Sequence, residues 1–416
     1  MHNISVSFSR LFVFILVLFG SWYGSKILEK DQQNTPIPTP ELVKFQLEIP
    51  KFSLFKTNPN PEIEFSQTDK PIEDLEVQEA IPTWNRVVIQ TNGTNRKYGN
   101  LIAIQPKFFF SDFSNETTIA KRLKEIMEQG KVNSLYDRKT IVVMPEHIGS
   151  GLVFLDEKQN TFKSVSFNAL IQFLNNKYKS ELSSISSNSK ISRNDIDKVF
   201  RLKAQRMSEA YVSLFSKLSK EYSVPIFAGS IILPGPKISN GKISIDTSAP
   251  LYNIAVVFGA DGRVMEPLVK KTILSEEESL ILEKGDVNQN RVWIVPGWKV
   301  GVFLGEEVFS EVLFDKLKSR PLDGIVVAGF SNPLGSPKAL SRFLPEPVNS
   351  DNETEIWLRY GALKYIQNTK AQDLVQAFAS FSVWGQNTRA QSFNVRDFLN
   401  QDRANSESPT IMNLYF

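Results

Sequence analysis

The chain has 416 residues, a hydrophobic share of 41% and a formal net charge of +3. That length suits one large α/β domain with appendages or two modest domains, and the apolar share supports a substantial core. A near-neutral balance with no Lys/Arg-dense stripe argues against nucleic acid as a partner; the absence of cysteine rules out disulfides, thiolate metal sites and iron–sulfur ligation, and His2 and His147 alone cannot build a histidine-rich metal centre.

The first predicted element is a hydrophobic segment. Arg10 precedes the apolar run Leu11–Gly20, and the apolar character fades through Trp22, Tyr23 and Ile27. Its length is near the low end of what spans a bilayer, about 17 residues. No small-x-small cleavage site stands before Lys26, and Trp22 and Tyr23 suit a membrane interface. Residues 1–30 are therefore read as an uncleaved signal anchor, a transmembrane helix, in preference to a cleaved signal peptide. Such an anchor usually keeps its short leader in the cytoplasm, which places the bulk of the chain on the extracytoplasmic side. Residues 31–83, with Pro36, Pro38, Pro40, Pro59, Pro61 and Pro71, form an extended linker.

The globular domain is expected over 84–416. Strands are predicted at 86–90 and 100–105. A helix follows, capped near Asn115 or Glu116, with Ile119, Leu123, Ile126 and Met127 on one face. A buried strand over 139–144 ends at Pro145. The Ser-rich stretch 179–192 reads as a loop. A long amphipathic helix is expected over 195–222, its stripe being Ile196, Val199, Phe200, Met207, Tyr211, Leu214, Leu218 and Tyr222. Strands follow at 225–233 and 252–258, and Asp261-Gly262 turns the chain into a hairpin. Two more strands are expected at 291–295 and 299–304, then a helix at 308–318 and a strand at 324–327. A polar insertion covers 331–353 and a helix 355–367. Strands at 374–378 and 390–395 close the sheet. Strands alternating with helices give a mixed α/β layered architecture.

Three short segments bear on chemistry. Pro145-Glu146 closes the run Val142-Val143-Met144; Lys270 follows Asp261-Gly262-Arg263 and precedes Glu278; and Gly301-Val302-Phe303-Leu304-Gly305-Glu306-Glu307 forms the third segment. Together with Val224–Ser230, Tyr252–Val257, Gly285-Asp286, Phe309, Glu311 and the late stretch Gly385–Ser392, their order resembles the nitrilase (carbon–nitrogen hydrolase) superfamily over about residues 98–396. The nearest branch is that of the apolipoprotein N-acyltransferases. The resemblance implies an αββα sandwich and a Glu–Lys–Cys amidase site. In that site a thiolate attacks an amide, ester or nitrile carbon, a glutamate acts as general base and a lysine ammonium stabilises the oxyanion. It implies Glu146 as the base, Lys270 as the oxyanion stabiliser and Glu278 as a further positioning carboxylate, with Glu276 and Glu277 as rivals for that register.

The sequence departs from this pattern at the nucleophile. Alignment on Gly301 places Gly305 there; alignment on Phe309 and Glu311 places Leu304 there. Neither can attack a carbonyl, and loss of a nucleophile removes several orders of magnitude of rate. Taken singly, Glu146 reads as a solvated strand-end carboxylate, Lys270 with Lys271 as a basic surface pair and His147 as a loop residue. Their joint order favours a remnant pocket.

The expected function is that of a membrane-tethered, catalytically inactive carbon–nitrogen hydrolase-like protein. It would bind a small carbonyl ligand or a protein partner and need neither cofactor nor metal. The alternative is an active amide hydrolase or N-acyltransferase with a non-cysteine mechanism. The acyltransferase branch normally needs a bundle of membrane helices, and a single hydrophobic segment is present here. The family's habit of pairing implies a homodimer, or a heteromer with an active homologue, through the helix at 308–318 and the C-terminal region.

Overall fold

A computed structural model describes residues 86–416, apart from 159–160, 163–166, 189–193, 296, 332–336, 345–351, 384–385 and 405–407. The expected anchor at 1–30 and the linker at 31–83 lie outside the described residues. Among the described residues, no helix is long and apolar enough to cross a membrane.

Two sheets carry the fold. The first has 8 strands, in the order Val88–Asn92, Thr410–Tyr415, Asn100–Gln105, Thr140–Val143, Ile226–Phe227, Leu251–Phe258 and Val264–Lys270, with Ile231–Pro234 also paired to Leu251–Phe258. The second has 6 strands, in the order Val292–Val295, Trp298–Leu304, Gly324–Ala328, Leu374–Ala377, Phe393–Arg396 and Asn400–Arg403.

Side-chain alternation explains how they stack. Successive residues of a strand face opposite sides. Leu101, Ala103, Ile141, Val143, Ala255 and Val257 of the first sheet pack against Val300, Val302, Leu304, Val326, Val375 and Ala377 of the second. The intervening residues point outward. Ile102, Ile104, Val142 and Val256 pack with the helices Glu116–Val132 and Asp195–Tyr222. Phe303, Ile325, Val327 and Leu374 pack with the helices Glu311–Asp315 and Glu353–Ile356 and the helical turns that follow. Four layers result, helix–sheet–sheet–helix. The strands at the middle of each sheet are buried on both faces and so read as continuous apolar runs.

The helix Asp195–Tyr222 spans the predicted residues, with the Asn194 side chain accepting from the Ile196 and Asp197 amides at its start. Four expectations are corrected. The Ser-rich stretch carries a helix, Lys179–Asn188, because Leu182 buries itself in the core. The strand expected at 225–233 is two strands, broken at Gly229, whose φ of +64° turns the chain. The helix expected at 308–318 shortens to Glu311–Asp315 and begins after the tight turn Gly305–Phe309.

The fourth concerns the C-terminus. Thr410–Tyr415 enters the first sheet, parallel to Val88–Asn92 and antiparallel to Asn100–Gln105. It is buried along its length, so this strand has no free face for a partner.

Candidate active site

The site lies beyond the carboxyl ends of Thr140–Val143 in the first sheet and Trp298–Leu304 in the second, which share the core between the sheets. The crevice outside such strand ends is where open α/β sheets usually place ligands. After Val143 the chain runs Met144-Pro145-Glu146, and the Glu146 amide donates to the Gly329 carbonyl on the second sheet at 3.2 Å. His147 then takes φ +61°, and its amide donates to the Ser230 hydroxyl at 2.8 Å. That hydroxyl follows Gly229, whose missing side chain leaves room for the Pro145 carbonyl. The turn directs the Glu146 carboxyl into the interior.

Lys271 is the lysine that meets it. Its Nζ is 3.0 Å from Glu146 Oε1, 2.8 Å from Glu278 Oε2 and 2.7 Å from Glu306 Oε2. Lys270, expected in that role, leaves the strand on the other side, and its Nζ stands 3.8 Å from the centre of the Tyr252 ring. Burial, followed by the charge of Lys237, lowers the Lys270 pKa. The pairing of Val264–Lys270 with Leu251–Phe258 shifts register between Met265 and Val269. Such a bulge re-aims the residues after it, and one step along a strand reverses the face of every side chain.

Glu278 lies in the same cluster. It is buried, whereas Glu276 is exposed and Glu277 half-buried. Its Oε2 accepts from the Ser275 amide at 2.8 Å, and the Ser275 hydroxyl accepts from the Glu278 amide at 3.1 Å. Asn253, inward-facing on Leu251–Phe258, donates to Glu146 Oε1 at 2.9 Å. His147, expected to be a plain loop residue, is buried in the cluster. Its Nδ1 lies 3.1 Å from Ser150 Oγ and its Nε2 3.5 Å from Glu278 Oε1. Ser150 Oγ already accepts from the Ile232 amide. Its proton is thus free for Nδ1, which fits the tautomer with hydrogen on Nε2.

Charge in the cluster is unbalanced, since three carboxyl groups surround one ammonium. Burial raises the Glu146 pKa well above the ordinary carboxylate range, and the charges of Glu278 and Glu306 add to this against the pull of Lys271. Burial alone would raise Glu278 too. The Lys271 ammonium and the His147 hydrogen bond prevail and hold it at about 2. Two carboxyl groups beside one cation are thus shifted in opposite directions, Glu146 upward and Glu278 downward. Burial works against the charge on Lys271, but Glu146, Glu278 and Glu306 raise its pKa well above the usual value. Burial lowers the His147 pKa and keeps the ring neutral.

Gly305 stands at the end of Trp298–Leu304, in the left-handed region at φ +49°. A Cβ there would come within 3.0 Å of both Glu146 Oε2 and Lys271 Nζ. A side chain at 305 would therefore require the ends of Glu146 and Lys271 to shift. Glu146 Oε2 is buried and has no hydrogen-bond partner. Leu304, the other candidate position, points into the core between the sheets.

A second ionic pair holds this turn. Glu307 is fully buried, accepts from Arg291 Nη1 and Nη2 at 2.7 Å each, and accepts from the Thr272 amide at 2.6 Å and the Leu304 amide at 2.9 Å. Burial would raise the Glu307 pKa, yet the bidentate Arg291 lowers it. One carboxylate thus ties the residue after Lys271 to the residue before Gly305. Asn253, Arg291 and the contact of Glu306 with Lys271 were not foreseen. For Arg291 the signal was present, a lone arginine at the head of an apolar strand.

Glu146, His147 and Glu278 bring possible metal ligands within 4.8 Å of one another. Lys271 Nζ binds both carboxylates of that set, so a metal would have to displace the ammonium. The donor set therefore fits a lysine better than a metal.

No protein-family model and no curated protein matches this chain. Among solved structures it is similar to a carbon–nitrogen hydrolase from Helicobacter pylori, at 14% identity and a TM-score of 0.46, over 76% of this chain and 88% of that one. It is also similar to a cysteine-to-serine mutant of the Nesterenkonia AN1 amidase from the nitrilase superfamily, at 10% identity, a TM-score of 0.48 and coverage of 77% and 92%. A third is Saccharomyces cerevisiae Nit3, a member of branch 10 of the nitrilase superfamily, at 13% identity, a TM-score of 0.46 and coverage of 76% and 88%. Likeness at this level speaks to neither activity nor substrate.

Proposed function

We propose that this protein is a carbon–nitrogen hydrolase-like binding protein that transfers no acyl group, held at a membrane by its N-terminal segment with its bulk outside. One observation carries the reading: position 305 is a glycine at positive φ, and a Cβ there would crowd the ends of Glu146 and Lys271, which would have to shift to admit a side chain. What is left is a buried lysine with carboxyl partners, a device for holding a polar ligand in a dry site. Partner proteins, a second copy included, remain within this reading through the exposed face of the helix Glu311–Asp315, where Val312 is open to solvent.

A second reading, an active hydrolase with a serine nucleophile, is favoured by the relay Ser150–His147–Glu278, at 3.1 and 3.5 Å. Against it, all three residues are buried, and the Ser150 hydroxyl is engaged by the Ile232 amide.

Incubation of the full-length chain with panels of amides and esters, read by product release and intact mass, separates the two. The first reading predicts no turnover and no adduct. A covalent acyl adduct that vanishes on Glu146→Gln or Ser150→Ala would establish the second.

A further inference from the structure

The three carboxyl groups on Lys271 are not equivalent. Glu146 and Glu278 are anchored, the first by Asn253 and the second by Ser275, and both are sealed from solvent. Glu306 has its side chain 17% exposed and makes the shortest contact with Lys271 Nζ, 2.7 Å. It follows Gly305, where the backbone turns at φ +49°. Deeper in, Glu146 Oε2 is buried and unpartnered. The site therefore holds a cation, an unsatisfied polar atom and one partly exposed carboxylate.

We infer that Glu306 is a built-in stand-in for a ligand, and that the site takes a small monocarboxylate that displaces it from Lys271. The inference rests on the binding reading above and names its ligand class. When the Glu306 side chain turns out to solvent, it vacates a space the size of a carboxylate beside an ammonium that is already desolvated. The exchange is one anion for another, so the charge around Lys271 does not change. A neutral amide arriving at the same place would leave the ammonium one negative partner short, which is costly in a buried site. The ordinary cost of stripping water from a lysine has been met within the fold, and the ligand competes only with Glu306.

The test is titration of the full-length wild type, Glu306→Ala and Glu306→Gln with acetate and with propionate, at constant ionic strength. Acetamide and chloride serve as controls, and thermal melting and calorimetry are the readouts. Both carboxylates should saturate the wild type. They should bind Glu306→Ala at least about tenfold more tightly, because apparent affinity falls by the fraction of molecules in which the site is open. Acetamide and chloride should saturate neither protein. If Glu306→Ala does not fold, Glu306→Gln, which keeps the shape and removes the charge, should show the same gain. Equal affinity in wild type and variants, no saturation by carboxylate, or saturation by acetamide to the same degree would each overturn the inference. Those failures leave the absence of acyl transfer untouched, since product release and intact mass report on that separately.

Discussion

Lys270 and Lys271 are neighbours in the chain whose ammonium groups serve different surroundings. Lys271 Nζ lies 3.0 Å from the Glu146 carboxyl, while Lys270 Nζ stacks 3.8 Å from the Tyr252 ring centre on the other side of the strand.

This pair yields the first prediction. Lys271→Met leaves three carboxyl groups around no cation and should cost about 3–5 kcal/mol, as removal of one partner from a buried pair usually does. Lys270→Met loses a half-exposed cation–π contact, a loss of roughly 0.5–1 kcal/mol. Urea unfolding with unchanged m-values measures both. Equal costs would mean that the strand is misplaced by one residue.

The off-by-one at this lysine shows where the sequence is readable. Glu146 could be placed because it directly follows a continuous apolar strand and a proline, and Glu278 because its spacing was right. The bulge between Met265 and Val269 could not be read, since it depends on the partner strand. The helix Asp195–Tyr222 was legible from its periodic stripe. The C-terminal strand Thr410–Tyr415 was missed, because its neighbours in the sheet lie some three hundred residues earlier in the chain. The Glu306–Lys271 contact spans 35 positions and depends on the two strands being brought face to face.

The second prediction concerns pH. The folded-state pKa of Glu146 lies above its ordinary value of 4.5. Its stabilising contribution is therefore complete below that value and is lost as pH rises through the folded-state pKa. Glutamine mimics the neutral acid and does not titrate. The stability of Glu146→Gln relative to wild type should accordingly improve with pH, by up to about 1.4 kcal/mol per pH unit. Chemical denaturation from about pH 5 to about pH 9 measures it, and a difference independent of pH would count against a raised Glu146 pKa.

Glu278 behaves in the opposite sense and yields the third. Its folded-state pKa of about 2 lies below the ordinary 4.5, so its contribution is present above 4.5 and disappears as pH falls toward 2. Glu278→Gln should remove that acid-side loss and should lower stability at neutral pH by about 3–5 kcal/mol. An acid unfolding midpoint unchanged by the substitution would refute the assignment.

The fourth prediction tests the clamp on the turn. Arg291→Met or Glu307→Gln alone strands a buried charge and should cost about 3–5 kcal/mol. The combined variant should cost less than the sum by at least about 1 kcal/mol. Additive losses would show that the pair does not act as a unit.

The most direct test of the central claim is a double-mutant cycle between Gly305 and Glu146. Gly305→Ala should destabilise the protein, through its positive φ by about 1–3 kcal/mol and through collision with the Glu146 carboxyl. Glu146→Ala clears that collision, so the double variant should be more stable than the two single losses predict by at least about 1 kcal/mol. Additivity to within about 0.5 kcal/mol would mean that the space beside Gly305 is open, and that the place of a nucleophile has not been taken over by the acid.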